Sequence, residues 1–424
     1  MERGCQMMRE AKSSGIAWIG TIPKCWETDK LKYHLRRNEP RNPGDVVVLS
    51  LYRELGVIPK DSRDDNHNVT SEDTSKYKYV RPGDFVINKM KAWQGSVAVS
   101  EYEGIVSPAY FVYEFTDDTI FKRYFHYLLR SCYKDEFMRL SGGIRVGQWD
   151  LPADALENTP ILIPPMDEQC RIADFLDTKC AEIDALTADI QTQIDTLEQY
   201  KRSVITETVT KGLNPNAEMK DSGIQWIGNM PAHWDVVRGK YILHYMQKPV
   251  REDDGVITCF RDGEVTLRSN RREEGFTMSD KEIGYQGIDV GDLVVHGMDG
   301  FAGSIGISDS RGKASPVLNV LDTDQCKRYI MYYLRSMAYS DVFLALATGI
   351  RVRSCDLRWN KLAELSYPVP PLDEQNAIVK HIDSVLSKAE AVIADKKAQL
   401  ATLDEYKKSL IFEYVTGKKE VPVS

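Results

Sequence analysis

The chain states one pattern twice. Ser14-Gly15-Ile16, Trp18-Ile19-Gly20, Pro23 and Trp26 return as Ser222-Gly223-Ile224, Trp226-Ile227-Gly228, Pro231 and Trp234, a constant shift of 208 residues. The register holds through Met90 and Met298, Gly95-Ser96 and Gly303-Ser304, and Ser107-Pro108 and Ser315-Pro316. It then becomes 206, aligning Gly143-Ile144-Arg145-Val146 with Gly349-Ile350-Arg351-Val352, and Pro164-Pro165-Met166-Asp167-Glu168-Gln169 with Pro370-Pro371-Leu372-Asp373-Glu374-Gln375. A period near 200 is far too long for a solenoid unit and suits a duplicated domain. Two similar but unequal modules suit a ligand that itself has two parts.

Within the first copy, short runs rich in Val, Ile, Tyr and Phe (46–51, 85–88, 97–99, 109–115) are separated by Gly, Pro and Asp turns, and a helical pattern follows over 120–140. The sequence therefore predicts α/β (α+β) modules in tandem duplicate over 1–165 and 214–371, with long helices over 166–213 and 372–424. Pro164-Pro165 and Pro370-Pro371 exclude helix before them and leave Asp167-Glu168 and Asp373-Glu374 in a first turn, where negative charge complements the helix dipole. From there Leu176, Ile183, Ile190, Leu197 and Val204 recur every seven residues with Ile172, Leu186 and Tyr200; Ile378, Val385, Val392, Gln399 and Tyr406 answer them, with Ile382, Ala389, Leu403 and Leu410. Heptads sustained over some 40 residues predict a coiled coil roughly 60 Å long. Antiparallel pairing of the two helices would give a pseudo-twofold, circular arrangement. The alternative is a long helix packed on a globular core.

Composition removes several classes. No apolar run reaches the roughly 20 residues needed to span a bilayer, so a cytoplasmic protein is expected, with no membrane partner. The eight cysteines have no Cys-x-x-Cys spacing and the seven histidines no ligand spacing, so neither a disulfide framework nor a metal site is indicated. Gly306 and Gly312 have five residues between them where a phosphate loop needs four. The formal charge of -8 argues against nucleic acid until its distribution is considered. Residues 166–199 hold nine acids and two bases, a net of -7, so the remainder is nearly neutral. Such a helix cannot follow a phosphate backbone; its acids Asp184, Asp189 and Asp195 are expected to face a basic protein partner.

The conjunction of Ser-Gly-Ile-x-Trp-Ile-Gly at 14–20 and 222–228, the duplicated Asp-Glu-Gln helix starts and the two heptad helices resembles the specificity (S) subunit of type I restriction-modification systems over essentially the whole chain. The resemblance implies two target-recognition domains reading the halves of a bipartite, asymmetric double-stranded DNA site. It implies helices that space them and dock two methyltransferase (M) subunits, with restriction (R) nuclease-translocase subunits joining the larger complex. It implies no active site and no cofactor on this chain, S-adenosylmethionine, ATP and Mg being expected on the partners. No adenine-methylation motif of the Asn/Asp-Pro-Pro-Tyr/Phe kind is present. The rivals are an enzyme acting unaided and a coiled-coil adaptor without DNA readout.

Comparing the copies selects candidate DNA contacts, because a residue kept in both has a common task and one that differs can discriminate. Tyr52-Arg53 matches Phe260-Arg261; an aromatic beside an Arg can stack and reach phosphate or base edges, or be a buried ring beside a surface charge. Lys89, Lys91, Trp93 and Gln94 face Gly297, Asp299, Phe301 and Ala302, with Met90 matching Met298. There the shared Met, aromatic, Gly and Ser read as scaffold, while Gln could read adenine and Lys guanine or phosphate. Arg145 and Arg351 are shared, which favours phosphate contact or an ion pair with Asp150 or Asp356; Gly147, Gln148 and Trp149 against Arg353, Ser354 and Cys355 are better placed to specify bases. Arg268 is a further candidate. Trp18, Trp26, Trp226 and Trp234 are expected in the core.

Overall fold

The computed structural model describes residues 9–44, 46–52, 55–62, 70–71, 73–143, 149–271, 283–346 and 357–422. It divides into two compact units, Met1–Asp189 with Ala398–Ser424, and Ile190–Lys397.

The first unit is built on an antiparallel sheet in the order Leu35–Arg37, Tyr110–Phe115, Phe85–Asn88, Val97–Val99. Alternation along these strands gives the sheet two apolar faces. Phe85, Ile87, Phe111 and Tyr113 pack with Tyr124, Phe125, Leu128 and Leu129 of the helix Lys122–Cys132. Val86, Ala98 and Val112 pack instead under the hairpin Leu49–Tyr52/Gly56–Pro59 and the strand pair Lys78–Val80/Gly104–Val106. The helical stretch expected over 120–140 breaks in two, Lys122–Cys132 and Lys134–Leu140. Tyr133 forms the joint: its ring is fully buried against the edge of Trp18, and its hydroxyl donates to the Pro160 carbonyl at 2.8 Å. The strand expected from Val46 begins at Leu49, three residues later.

The second unit repeats this plan. Its sheet runs His244–Met246, Leu318–Asp322, Leu293–His296, Ile305–Ile307, flanked by the hairpin Ile257–Cys259/Val265–Leu267 and the helix Lys327–Tyr339.

The two long helices are Met166–Lys211 and Leu372–Val415. At each start a buried glutamine ties the helix to its module. Gln169 accepts from the Phe121 N–H at 2.8 Å and donates to the carbonyls of Thr119 and Pro164; Gln375 accepts from the Cys326 N–H at 2.9 Å and donates to the Pro370 carbonyl and the Gln325 amide oxygen. At the ends, a tyrosine hydroxyl takes up a last-turn carbonyl in each unit: Tyr124 donates to Val415 at 3.0 Å and Tyr329 to Val209 at 3.1 Å. Gly417 and Gly212 follow with φ of 68° and 73°. They lie against Trp26 and Trp234, both fully buried, so these rings of the repeated motif form the seat for a helix end. Trp18 and Trp226 are half-buried against the same cores.

Each unit contains one segment from each long helix, and the segments are antiparallel. In the first unit the Phe175 and Tyr414 rings meet at a tilt with centroids 4.5 Å apart and Asp184 pairs with Lys407; in the second Lys396 donates to Gln193 and Lys201 pairs with Glu390, the numbers rising on one helix as they fall on the other. Leu176, Ile183, Ile190, Ile378, Ala389 and Leu410 are buried, and Leu197, Val204, Val385 and Leu403 half-buried. Leu186, Val392 and Tyr406 do not belong to the stripe, being 47%, 43% and 55% exposed. On the first helix the alternate positions are Cys180, Thr187, Ile194 and Lys201, so that Thr187 takes the inward place beside Leu186. On the second, Ile393 is buried where its neighbour Val392 was expected.

Candidate nucleic-acid interface

Both units bring the second candidate segment together with the described end of the third, residues 149–151 in one unit and Leu357 in the other, at one end of the four-stranded sheet. The strand Phe85–Asn88 leads into a turn in which Lys91, Gln94 and Gly95 close short backbone hydrogen bonds, Gly95 taking φ of 85°. A glycine at this left-handed position costs no Cβ strain. The Leu151 N–H then donates to the Lys89 carbonyl at 3.0 Å, and the Trp93 and Trp149 rings meet edge to face with centroids 5.4 Å apart. In the second unit the Leu357 N–H donates to the Gly297 carbonyl at 2.9 Å, and Gly303 takes φ of 96°. The backbone frame is shared; the side chains mounted on it are not.

Lys89 is held by Asp150 at 2.8 Å, Lys91 is exposed, and Trp93 and Gln94 are half-buried, the Trp93 Nε1 donating to the Met90 carbonyl. The shared Ser96 and Ser304 are buried, and Phe301 is half-buried. Met90 and Met298 are not scaffold: they are 42% and 53% exposed at the same place in both copies. An apolar side chain kept at a loop surface is available for contact rather than for packing. His296 shapes the second loop by accepting the N–H groups of Met298 and Asp299 on Nδ1. Burial holds its pKa below the ordinary imidazole value, with Asp299 opposing, so the neutral ring is the acceptor.

In the second unit the first candidate segment joins the same surface. Phe260 and Arg261 lie at the tip of the hairpin, where Arg261 pairs with Asp299 at 3.0 Å. Arg271 lies over the Phe260 ring at 4.2 Å and pairs with Asp262 and Glu264, while Arg335 donates to the Asp262 carbonyl. Neither Arg271 nor Arg335 was singled out in the sequence; the signal for both would have been a cation beside the aromatic hairpin tip. Arg268 points along the hairpin instead, its Nε donating to Thr258 Oγ1 at 3.2 Å. Tyr52 ends the corresponding strand of the first unit. Arg53, Arg145, Gln148, Arg351, Arg353 and Ser354 lie outside the described residues.

The acids proposed for partner binding are engaged within the protein. Asp184 pairs with Lys407 at 2.6 Å, Asp195 accepts from Gln191 at 2.9 Å, and Asp189 also has an internal interaction. Among the described residues no group of three His, Cys, Asp or Glu side chains could hold a metal ion, and no helix is long and apolar enough to cross a membrane.

The duplicated module presents different side chains on the same loop frame in its two copies. The profile of the type I restriction modification DNA specificity domain matches residues 34–196. The chain is 24% identical to MjaX of Methanocaldococcus jannaschii, provisionally named a type I restriction enzyme specificity subunit, over 95% of this chain and 96% of that one. It is 23% identical to the MjaVIII specificity subunit of the same organism over 94% of each. A chain from a solved type I restriction-modification system, described for its complex assembly and conformational transition, superposes with a TM-score of 0.68 at 16% identity over 94% of this chain and 99% of that one. The HsdS subunit of Thermoanaerobacter tengcongensis superposes with a TM-score of 0.50, also at 16% identity, over 94% and 98%. Residues 34–196 thus match a type I restriction modification DNA specificity domain, and over nearly its whole length the chain is similar to type I restriction enzyme specificity subunits.

Proposed function

We propose that this subunit reads a bipartite, asymmetric double-stranded DNA site, one half per module, and that its long helices form an antiparallel coiled-coil spacer in a pseudo-twofold, circular molecule. Two methyltransferase subunits dock on it, and nuclease-translocase subunits join through them. The chain itself is non-catalytic and carries no cofactor, so S-adenosylmethionine, ATP and Mg act on the partners, in the cytoplasm. The observation that carries this reading is the pair of matching hydrogen bonds, Leu151 to Lys89 and Leu357 to Gly297, which set the same loop frame under Lys89, Lys91, Gln94 and Trp149 in one module and Gly297, Asp299 and Ala302 in the other. A common frame with different donors and acceptors is what two different half-sites require.

The test is to exchange residues 15–163 for the equivalent segment of another such subunit and to sequence the methylated positions in host DNA. One half of the recognised sequence should change while the other half and the spacing persist. A swap that altered both halves would refute modular reading.

A further inference from the structure

The two modules share a second surface feature, apart from the loops considered above. Lys32-Tyr33 and Lys240-Tyr241 occupy equivalent places, 208 residues apart, in the one-turn 3-10 helices Leu31–Tyr33 and Gly239–Tyr241. Tyr33 is 59% exposed and Tyr241 71%, Tyr241 being among the most exposed large hydrophobic side chains described. In each the preceding lysine lies beside the ring, 5.3 Å and 5.4 Å from its centroid. A further cation stands two residues before each lysine, Lys30 in one module and Arg238 in the other, and both are exposed. A large ring kept at the surface of two modules that differ elsewhere has a common task, and a solvent-facing tyrosine does not owe that retention to packing.

The place of this feature decides its partner. Tyr33 leads into the edge strand Leu35–Arg37, whose Leu35 pairs with Phe115, whereas the reading loop leaves the sheet beside Ala109, at the other end of the strand Tyr110–Phe115. Five strand steps put roughly 17 Å between the two ends. Tyr241 stands likewise at the Asp322 end of the second sheet, and the loop after His296 at the Leu318 end. Electrostatics agree. In the second module Arg238 and Lys240 both pair with Glu364, a carboxylate that would repel phosphate. A protein surface offering an apolar side chain to the ring and a polar group to the lysine fits both copies.

We infer that Lys32-Tyr33 and Lys240-Tyr241 are two equivalent anchor sites, one per module, each receiving one copy of the same protein partner, the methyltransferase subunit. This rests on the docking of two such subunits stated above and adds where each one is gripped. Because the rings are exposed, their truncation leaves the fold intact, and a central tyrosine carries enough of an interface to be measured.

The experiment uses the full chain and purified methyltransferase subunit, with stoichiometry and affinity read by mass photometry and sedimentation, and random-duplex binding read by anisotropy. Tyr33→Ala should weaken one of the two sites about tenfold and Tyr241→Ala the other, with the double variant losing the second subunit and then the first. Tyr33→Phe and Tyr241→Phe should retain both, because the ring supplies the contact, and duplex affinity should not change in any variant. Uptake of two subunits with unaltered affinity by the double alanine variant overturns the inference while leaving docking itself in place. So does loss of duplex affinity with subunit binding unaltered, which would make the pair a phosphate contact. If the unsubstituted chain binds no methyltransferase subunit, the docking reading fails, and the anchor sites with it.

Discussion

Asp184 and Lys407 meet across the helix pair at 2.6 Å, and Glu390 and Lys201 repeat the contact 206 residues away in the opposite sense at 3.3 Å. The lysines stand at stripe positions, Lys201 17% and Lys407 29% exposed, with their stems in the seam and their heads directed to the acids. This arrangement replaces an apolar contact by a directional one in each unit. Such contacts fix register at some cost in stability.

Reversing Asp184 alone should therefore disturb the helix pair before it disturbs any partner. Asp184→Lys sets two cations against each other, and because Asp184 is 63% exposed the loss is small, about 0.5 kcal/mol, fading at high salt. Combining Asp184→Lys with Lys407→Asp should restore the urea midpoint. A double variant no more stable than the worse single variant would show that the pair has no coupling energy.

Gln169 gives a larger effect because it is fully buried with three hydrogen bonds. Gln169→Ala leaves the Phe121 N–H and the carbonyls of Thr119 and Pro164 without this partner inside the protein, at about 3 kcal/mol. Urea unfolding should show it, whereas Gln191→Ala on the exposed helix surface should move stability by less than about 0.5 kcal/mol.

The helix-ending glycines should not be equally replaceable. A Cβ on Gly417 would meet Pro23 at 2.5 Å and Trp26 at 3.0 Å, whereas one on Gly212 meets Trp234 at 3.1 Å and Pro231 at 3.6 Å. Both alanines carry the strain of positive φ, about 1 kcal/mol. Gly417→Ala adds a collision with the Pro23 and Trp26 rings and should be the more destabilising by roughly a further 1 kcal/mol in differential scanning calorimetry. Equal melting shifts would show that the Pro23–Trp26 seat yields freely.

These contacts divide into those the sequence made legible and those it did not. The 208-residue shift identified equivalent strands, helices and loops because identical turn residues were repeated at identical intervals. Heptad counting failed at Val392 and Leu186 because Ile393 and Thr187 beside them could equally be counted inward, and neighbouring apolar residues leave the phase of a stripe open by one position. Nothing in the sequence distinguishes Lys201 and Lys407 from surface charges, although the acids that meet them, Asp184 and Glu390, are related by the same shift of 206. Exposure of Met90 and Met298 could not be read at all, since identity between copies fits a buried scaffold and a shared contact alike.

His126 predicts a pH response of the first unit. Burial, with Arg130 adding to it, depresses its pKa to about 4, well below an ordinary imidazole. Between pH 6.5 and about 4 the unfolded chain binds a proton that the folded one refuses, so stability falls as pH falls through that window. The contribution is complete above pH 6.5, and its loss is on the order of 2 kcal/mol, the residue keeping some access to solvent. Urea midpoints measured from pH 7 to 4 should show this slope, and His126→Gln should flatten it relative to the unsubstituted chain.

Asp150 tests what Lys89 does at the reading end. The pair at 2.8 Å neutralises a lysine that otherwise faces the same surface as Lys91 and Trp149, so that surface offers less counterion release than its lysines alone would give. Asp150→Asn keeps the shape of the side chain and removes the charge. In the assembled complex it should raise affinity for duplex DNA several-fold at low salt and steepen the slope of log affinity against log salt by about one unit. Lys89→Ala in the same background should remove the gain. The pattern of methylated sites separates the two tasks open to the lysine: if it meets phosphate, both halves of the recognised sequence stay as they were, and if it meets guanine, Lys89→Ala relaxes one position in one half only. An Asp150→Asn complex with unaltered salt dependence would show that Lys89 lies away from the duplex, and the reading surface of the first module would then rest on Lys91, Gln94 and Trp149.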